Sequence, residues 1–201
     1  MEKLVLSFDI DDVLLLVGEP RLDYLFRTHQ PLLSREECEY YYFYQLLGCS
    51  HDEGLAIEYA FLRECAAQLS PVPGALEGLM ELKRQGYILI AITARGKEFA
   101  KVTQESLDRF FPGIFSAIIH TSDWLDYWEK HIFCTKHGVA HHTDDTFSHV
   151  IGCINNGIPA TLFGEYSWNQ DPKKRLHLPH APDWPILVAK ITREHPLSAC
   201  I

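Results

Sequence analysis

KLVLSFDIDDVLLLVG, residues 3–18, holds the key to the chain. It opens with a short run of mostly apolar residues, and three aspartates, Asp9, Asp11 and Asp12, crowd its end. A short run with almost no polar alternation predicts a strand buried on both faces, as in a parallel sheet. Carboxylates gathered at one point repel each other, so the cluster calls for a cation. The apolar texture resumes as VLLLV, 13–17, until Gly18-Glu19-Pro20 breaks it.

The next 50 or so residues read differently. LSREECEYYYFYQLLG, 33–48, carries Ser34 with Glu37 three residues on, the pattern of a capping box. HDEGLAIEYAFLRECAAQL, 51–69, has Leu55, Tyr59, Leu62, Ala66 and Leu69 at helical spacing. The whole segment reads as helical, and Ser70-Pro71-Val72-Pro73-Gly74 ends it. A strand–helix rhythm follows. ALEGLMELKRQG is a helix stopped by Gly86. YILIAIT, 87–93, is a strand, KEFAKVTQESLDRFF a helix and IFSAIIH, 114–120, a strand. Helical texture at 128–137 leads to a fourth strand, VAHHTDD. The helix TFSHVIGCINNG and a fifth strand, IPATLFG, 158–164, complete the alternation. Residues 165–183 read as a turn-rich surface loop, and 184–194 as a closing helix. Such alternation with short connections predicts an α/β fold, a Rossmann-like parallel sheet covered on both faces. Asp9 and Asp11 would follow strand one, Thr93 strand two, and Asp144 and Asp145 strand four. Ligands of open α/β sheets bind at that edge.

Composition narrows the function. The net charge of −9 disfavours polyanionic partners, so neither a nucleic-acid polymer nor an anionic membrane surface is expected. No apolar run reaches the length of a membrane span, and acidic residues come too early for a signal peptide. The six cysteines show no CxxC and no regular spacing, and are read as reduced thiols of a cytoplasmic protein. His137, His141 and His142 are read as surface or core residues rather than a metal cluster.

The motifs resemble those of the haloacid dehalogenase superfamily, in its phosphatase branch. Asp9-Ile10-Asp11-Asp12-Val13 matches its D-x-D motif, the strand ending at Thr93 its second, Lys130 its third, and Asp144-Asp145 its fourth. A lone DxD is weak; four motifs in order, each at the proper end of its element, are specific. The resemblance implies Asp9 as nucleophile and Asp11 as general acid and base. It implies Thr93 and Lys130 as phosphate-binding residues, with Arg95 as a further phosphate contact. It also implies Mg²⁺ held by the Asp9 carboxylate, the backbone carbonyl of Asp11, and Asp144 or Asp145. Lys130 is preferred to Lys136, which falls late in its helix, where a cation meets the dipole. Receiver domains also use acids, a Thr and a Lys, but have no place for the helical insertion.

The resemblance further implies a small helical cap at 19–72, inserted after the first strand of a core formed by 1–18 and 73–201. Caps of this kind go with small phosphorylated substrates. FDIDDV, ITARG and GIPATLFGEYSWNQ look like the 5′-nucleotidase and deoxyribonucleotidase branch, which implies a nucleoside 5′-monophosphate. Cap aromatics, Tyr41 and Tyr44 among them, are candidates to stack on a base. One departure stands out: the residue after the second aspartate is usually Gly, and here it is Asp12. That opens two alternatives, a phosphate-ligand sensor or scaffold with weakened catalysis, or a sugar-phosphate phosphatase or phosphotransferase.

Overall fold

A strand with so little polar alternation belongs in the middle of a sheet, and β1 (Val5–Phe8) lies there. The computed structural model describes residues 3–32, 34–35, 46–123, 126–127 and 129–197. β1 pairs in parallel with β2 (Ile88–Gly96) on one side and β5 (Val139–Asp144) on the other. β3 (Ala117–Asp123) extends the sheet beyond β2. β6 (Ala160–Phe163) and β7 (His180–Ala181) extend it beyond β5, all in parallel. A two-residue antiparallel strand, β4 (Asp126–Tyr127), closes the β3 edge. The order is β4-β3-β2-β1-β5-β6-β7.

Between β1 and β2 come α1 (Gly18–Thr28), α2 (His51–Cys65) and α3 (Ala75–Gln85). Then follow α4 (Ala100–Phe110), α5 (Lys130–Lys136), α6 (Phe147–Asn155), the short α7 (Pro172–Arg175) and α8 (Trp184–Glu194). The closing helix occupies the predicted residues, and Gly86 ends α3 at φ +109°, where a side chain would be strained. The loop read at 165–183 differs: it contributes α7 and β7. β7 is only two residues long, too short for any periodicity to announce it. Glu37 of the expected box lies outside the described residues. A box forms at Ser50–Glu53, where each residue bonds the other's backbone N–H and so fixes the start of α2.

α1 and α2 pack on each other through Tyr24 and Phe61, ring centroids 5.7 Å apart. The chain leaves the sheet and returns to it side by side. Leu16 N–H donates to Ser70 O at 2.8 Å, and Val72 N–H to Leu14 O at 2.9 Å. The apolar VLLLV is therefore a largely buried connection paired with the returning chain rather than a continued strand. Trp184 props this connection from beneath. It is fully buried against Phe8 and Phe163 and donates its indole N–H to Val13 O at 3.0 Å. α3 lies so close that a Cβ on Gly78 would come within 2.5 Å of the indole. No helix among the described residues is long and apolar enough to cross a membrane. Trp184→Ala should cost about 3–5 kcal/mol in urea unfolding, through the cavity and the lost partner of Val13 O.

Candidate active site

The parallel register brings the C-terminal ends of β1, β2 and β5 together. The ladder runs past β1 into Asp9, whose N–H donates to Thr143 O at 2.9 Å. Lys130, the first residue of α5, reaches in from the side with its ammonium buried between two carboxylates. Nζ stands 2.7 Å from Asp9 Oδ1 and 2.6 Å from Asp144 Oδ2. Lys136 sits in the last turn of the same helix and is exposed. Oxygens of Asp9, Asp144 and Asp145 lie within 4.8 Å of one another, and all three residues are buried.

The two neighbouring acids have different surroundings. Asp144 Oδ2 receives Lys130 Nζ and, at 3.1 Å, His142 Nε2, while Oδ1 accepts the Thr146 N–H at 3.0 Å. His142 is itself held by Ser7 Oγ, 2.8 Å from Nδ1. Burial opposes ionisation of Asp144, but Lys130, His149 and His142 outweigh it and hold the carboxyl well below the usual range. Among the described residues no ion pair is formed by Asp145, on which Lys130 acts only weakly. It accepts the Trp168 indole N–H at 2.7 Å on Oδ2. Burial, with Asp144, Asp9 and Asp12 close by, pushes its pKa well above the ordinary value. Asp9 rises to about 7, first through burial and then through Asp144 and Asp11, against the pull of Lys130. Burial alone would lower Lys130, yet Asp144 and Asp9 keep it firmly protonated. The cluster thus holds more carboxyl groups than its lysine can keep ionised.

Thr93 is buried beside this cluster, and its Oγ1 accepts the Arg95 N–H at 3.1 Å, a bond that leaves the hydroxyl proton for another acceptor. β2 does not end there but continues to Gly96. Arg95 differs from the expected phosphate contact. Its guanidinium grips Asp11, with Nη2 2.5 Å and Nε 3.0 Å from Oδ1, and Nε 3.2 Å from Oδ2. Nη1 donates to Thr103 Oγ1 at 3.3 Å. Tyr41 and Tyr44 lie outside the described residues.

Asp12 has φ +57°, the left-handed conformation that glycine adopts freely and Asp tolerates better than most residues. Its Oδ1 accepts the N–H groups of Val17 and Gly18 at 2.8 and 3.0 Å, anchoring the start of α1. The extra aspartate is thus an anchor for the inserted helices.

Sequence reasoning missed the segment that covers the acids. Tyr166 and Trp168 stack with centroids 4.7 Å apart and planes 5° from parallel. Tyr166 OH donates to Asp12 O at 2.6 Å, and Trp168 holds Asp145. Gly18 makes room, since a Cβ there would meet Trp168 at 2.7 Å. Two aromatics inside a turn-rich polar stretch were the available signal. The fold also does what spacing did not suggest for the cysteines. Cys134, His142 and Cys153, from three elements, bring ligand atoms within 4.8 Å behind the acids. His137 is exposed, whereas His141 and His142 are buried.

A seven-stranded sheet with this order, an insertion after β1 and four acids at its C-terminal edge is the haloacid dehalogenase fold, the class of phosphatases that the motifs resembled. The chain belongs to the family described as 5′ nucleotidase, deoxy (Pyrimidine), cytosolic type C protein, whose model matches residues 3–133. A haloacid dehalogenase-like family hydrolase from Streptococcus pneumoniae superposes with a TM-score of 0.71 at 15% identity, over 94% of this chain and 98% of that one. A candidate phosphoglycolate phosphatase from Lactobacillus delbrueckii subsp. bulgaricus gives 0.69 at 13%, over 95% and 99%. A candidate beta-phosphoglucomutase from Thermotoga maritima gives 0.67 at 15%, over 96% and 99%. At such identities these likenesses show the fold. Among curated proteins no sequence match was found.

Asp12→Ala should lower stability in chemical denaturation by about 1–2 kcal/mol, from the lost anchor and the strained φ. Asp12→Gly should cost less, because glycine keeps the backbone angle.

Proposed function

We propose that the protein is a Mg²⁺-dependent phosphomonoesterase working through an aspartyl-phosphate on Asp9, with a nucleoside 5′-monophosphate as substrate. The observation that carries this reading is the buried triangle of Asp9, Asp144 and Asp145 with Lys130 as its one close lysine. The raised Asp9 and Asp145 fit a divalent cation with oxygen ligands. The Asp9 carboxylate, the backbone carbonyl of Asp11 and Asp145 would hold it. Asp144 is already occupied on both oxygens, and we assign it to orienting Lys130. When bound, Mg²⁺ supplies the positive charge that lets a carboxylate approach a phosphate dianion.

Asp9 attacks phosphorus as the bond to the leaving oxygen breaks, and Asp11 gives that oxygen its proton. Asp11 then takes a proton from water, which attacks phosphorus and returns the Asp9 carboxylate. Lys130 and the Thr93 hydroxyl bind phosphoryl oxygens throughout. The nucleotide assignment rests on the family match. We assign residues 19–72 as the cap and 1–18 with 73–201 as the core, the paired crossings at 14–16 and 70–72 forming the hinge. The four described cysteines, Cys49, Cys65, Cys134 and Cys153, are unpaired thiols, which supports a cytoplasmic setting.

Phosphate release from a panel of nucleotides and sugar phosphates, with Mg²⁺ and with EDTA, tests the assignment. Release confined to the Mg²⁺ arm and favouring nucleoside monophosphates is expected. Asp9→Asn should reduce it to background while circular dichroism stays unchanged. Release favouring sugar phosphates would remove the nucleotidase reading and keep the chemistry.

Stabilisation by the cation should follow the acids it meets. A carboxyl with a raised folded pKa favours the fold while protonated, and that advantage is lost as pH rises through the raised value. For Asp9 this window runs from about 4 to about 7. The rise in Tm on adding Mg²⁺ should therefore grow between about pH 5 and pH 8, and shrink in Asp9→Asn.

A further inference from the structure

Arg95 stands at the end of β2 where a phosphate contact was expected, yet its donors face the other way. Nε and Nη2 both donate to Asp11 Oδ1, at 3.0 and 2.5 Å, Nε also lies 3.2 Å from Oδ2, and Nη1 is tied to Thr103 Oγ1. The Arg95 side chain is 1% exposed, so these bonds are sheltered from water, whereas the Asp11 side chain keeps 19% of its surface open. Its backbone is fixed as well: N–H to Thr93 Oγ1, and C=O accepting from His120 Nδ1 at 3.0 Å. A planar guanidinium that brings two donors to one carboxylate oxygen fixes that oxygen in place more firmly than the freely rotating head of a lysine would.

We infer that Arg95 is a positioning residue for Asp11: it aims the proton-transferring carboxylate at the leaving oxygen and does not itself bind the phosphoryl group. The inference rests on the phosphatase reading above. It assigns the Arg of the TARG segment to the acid rather than to the substrate. Thr93 and Arg95, two residues apart on β2, then divide the work, Thr93 serving phosphate and Arg95 serving the proton donor. Arg95 is more buried than its partner and braced at three points, so the pair is oriented from the core side outward.

The test uses two esters that differ in their need for a proton. A p-nitrophenolate leaves without one, whereas the 5′-oxygen of a nucleoside does not. Both are measured as kcat/KM, which reports formation of the aspartyl-phosphate and excludes its hydrolysis. Arg95→Ala should lower kcat/KM for the nucleoside monophosphate at least about tenfold more than for p-nitrophenyl phosphate, since general acid catalysis contributes roughly 10²–10⁴. The ratio is taken within one sample, so a partly unfolded variant does not alter it. Arg95→Lys should restore part of the selectivity. In an Asp11→Asn background, Arg95→Ala should leave the ratio where Asp11→Asn alone puts it.

An equal loss for both esters would overturn the inference and return Arg95 to the phosphate. No loss for either would reduce the pair to a structural bridge and overturn it as well. If the wild-type protein releases phosphate from neither ester, the phosphatase reading falls and the inference with it.

Discussion

The Lys130 ammonium, buried between Asp9 and Asp144, is the interaction around which the rest of the site is arranged. An unpaired ammonium at this depth would carry a large desolvation cost, and so would either carboxylate alone. Together they hold the ends of β1 and β5 and the start of α5 at one point. The pair accounts for two of the four buried acids and leaves Asp145 and Asp12 to other means. Asp145 takes an indole N–H, and Asp12 takes two backbone N–H groups. Lys130 thus serves Asp9 and Asp144 together, and the resistance of Asp9 and Asp145 to ionisation marks the place where a cation could be held.

The inserted helices are tied into the same arrangement. Asp12 links the strand end to α1, and Tyr166 closes over the Asp12 carbonyl. Leu14 and Leu16 run beside Ser70 and Val72, so both crossings of the insertion lie a few residues from the aspartates that follow β1. A shift of α1 and α2 would be felt first at Asp12, the neighbour of Asp11. Within the insertion, Arg21 of α1 stands 3.6 Å from Glu58 of α2, near the Arg95–Asp11 pair.

Much of this was legible in the residues. The strand over Val5–Phe8, the helix stop at Gly86 and the closing helix at 184–194 follow from apolar runs and glycine geometry, which act locally. Asp9, Lys130, Asp144 and Asp145 lie where an element ends or begins, and a parallel sheet gathers such ends at one edge; Thr93 lies within β2, three residues before its end. Arg95 was expected to meet phosphate, and its guanidinium meets Asp11 and Thr103 instead; sequence places a side chain at an edge without saying which way it turns, and packing decides that. Trp168 and Tyr166 were missed because they act across more than 20 residues from a stretch without periodicity. Asp12 was read from the glycine it replaces and from its charge; the N–H groups of Val17 and Gly18 that face its carboxylate come only from packing.

The central claim is that Asp9 becomes the phosphoryl carrier. Acid quenching of the protein while it turns over a nucleoside monophosphate labelled in its phosphate, followed by peptide mapping, tests it directly. The account predicts label on the peptide that carries Asp9, removable by hydroxylamine. Full-rate phosphate release with no labelled protein, or label on a peptide without Asp9, would contradict it.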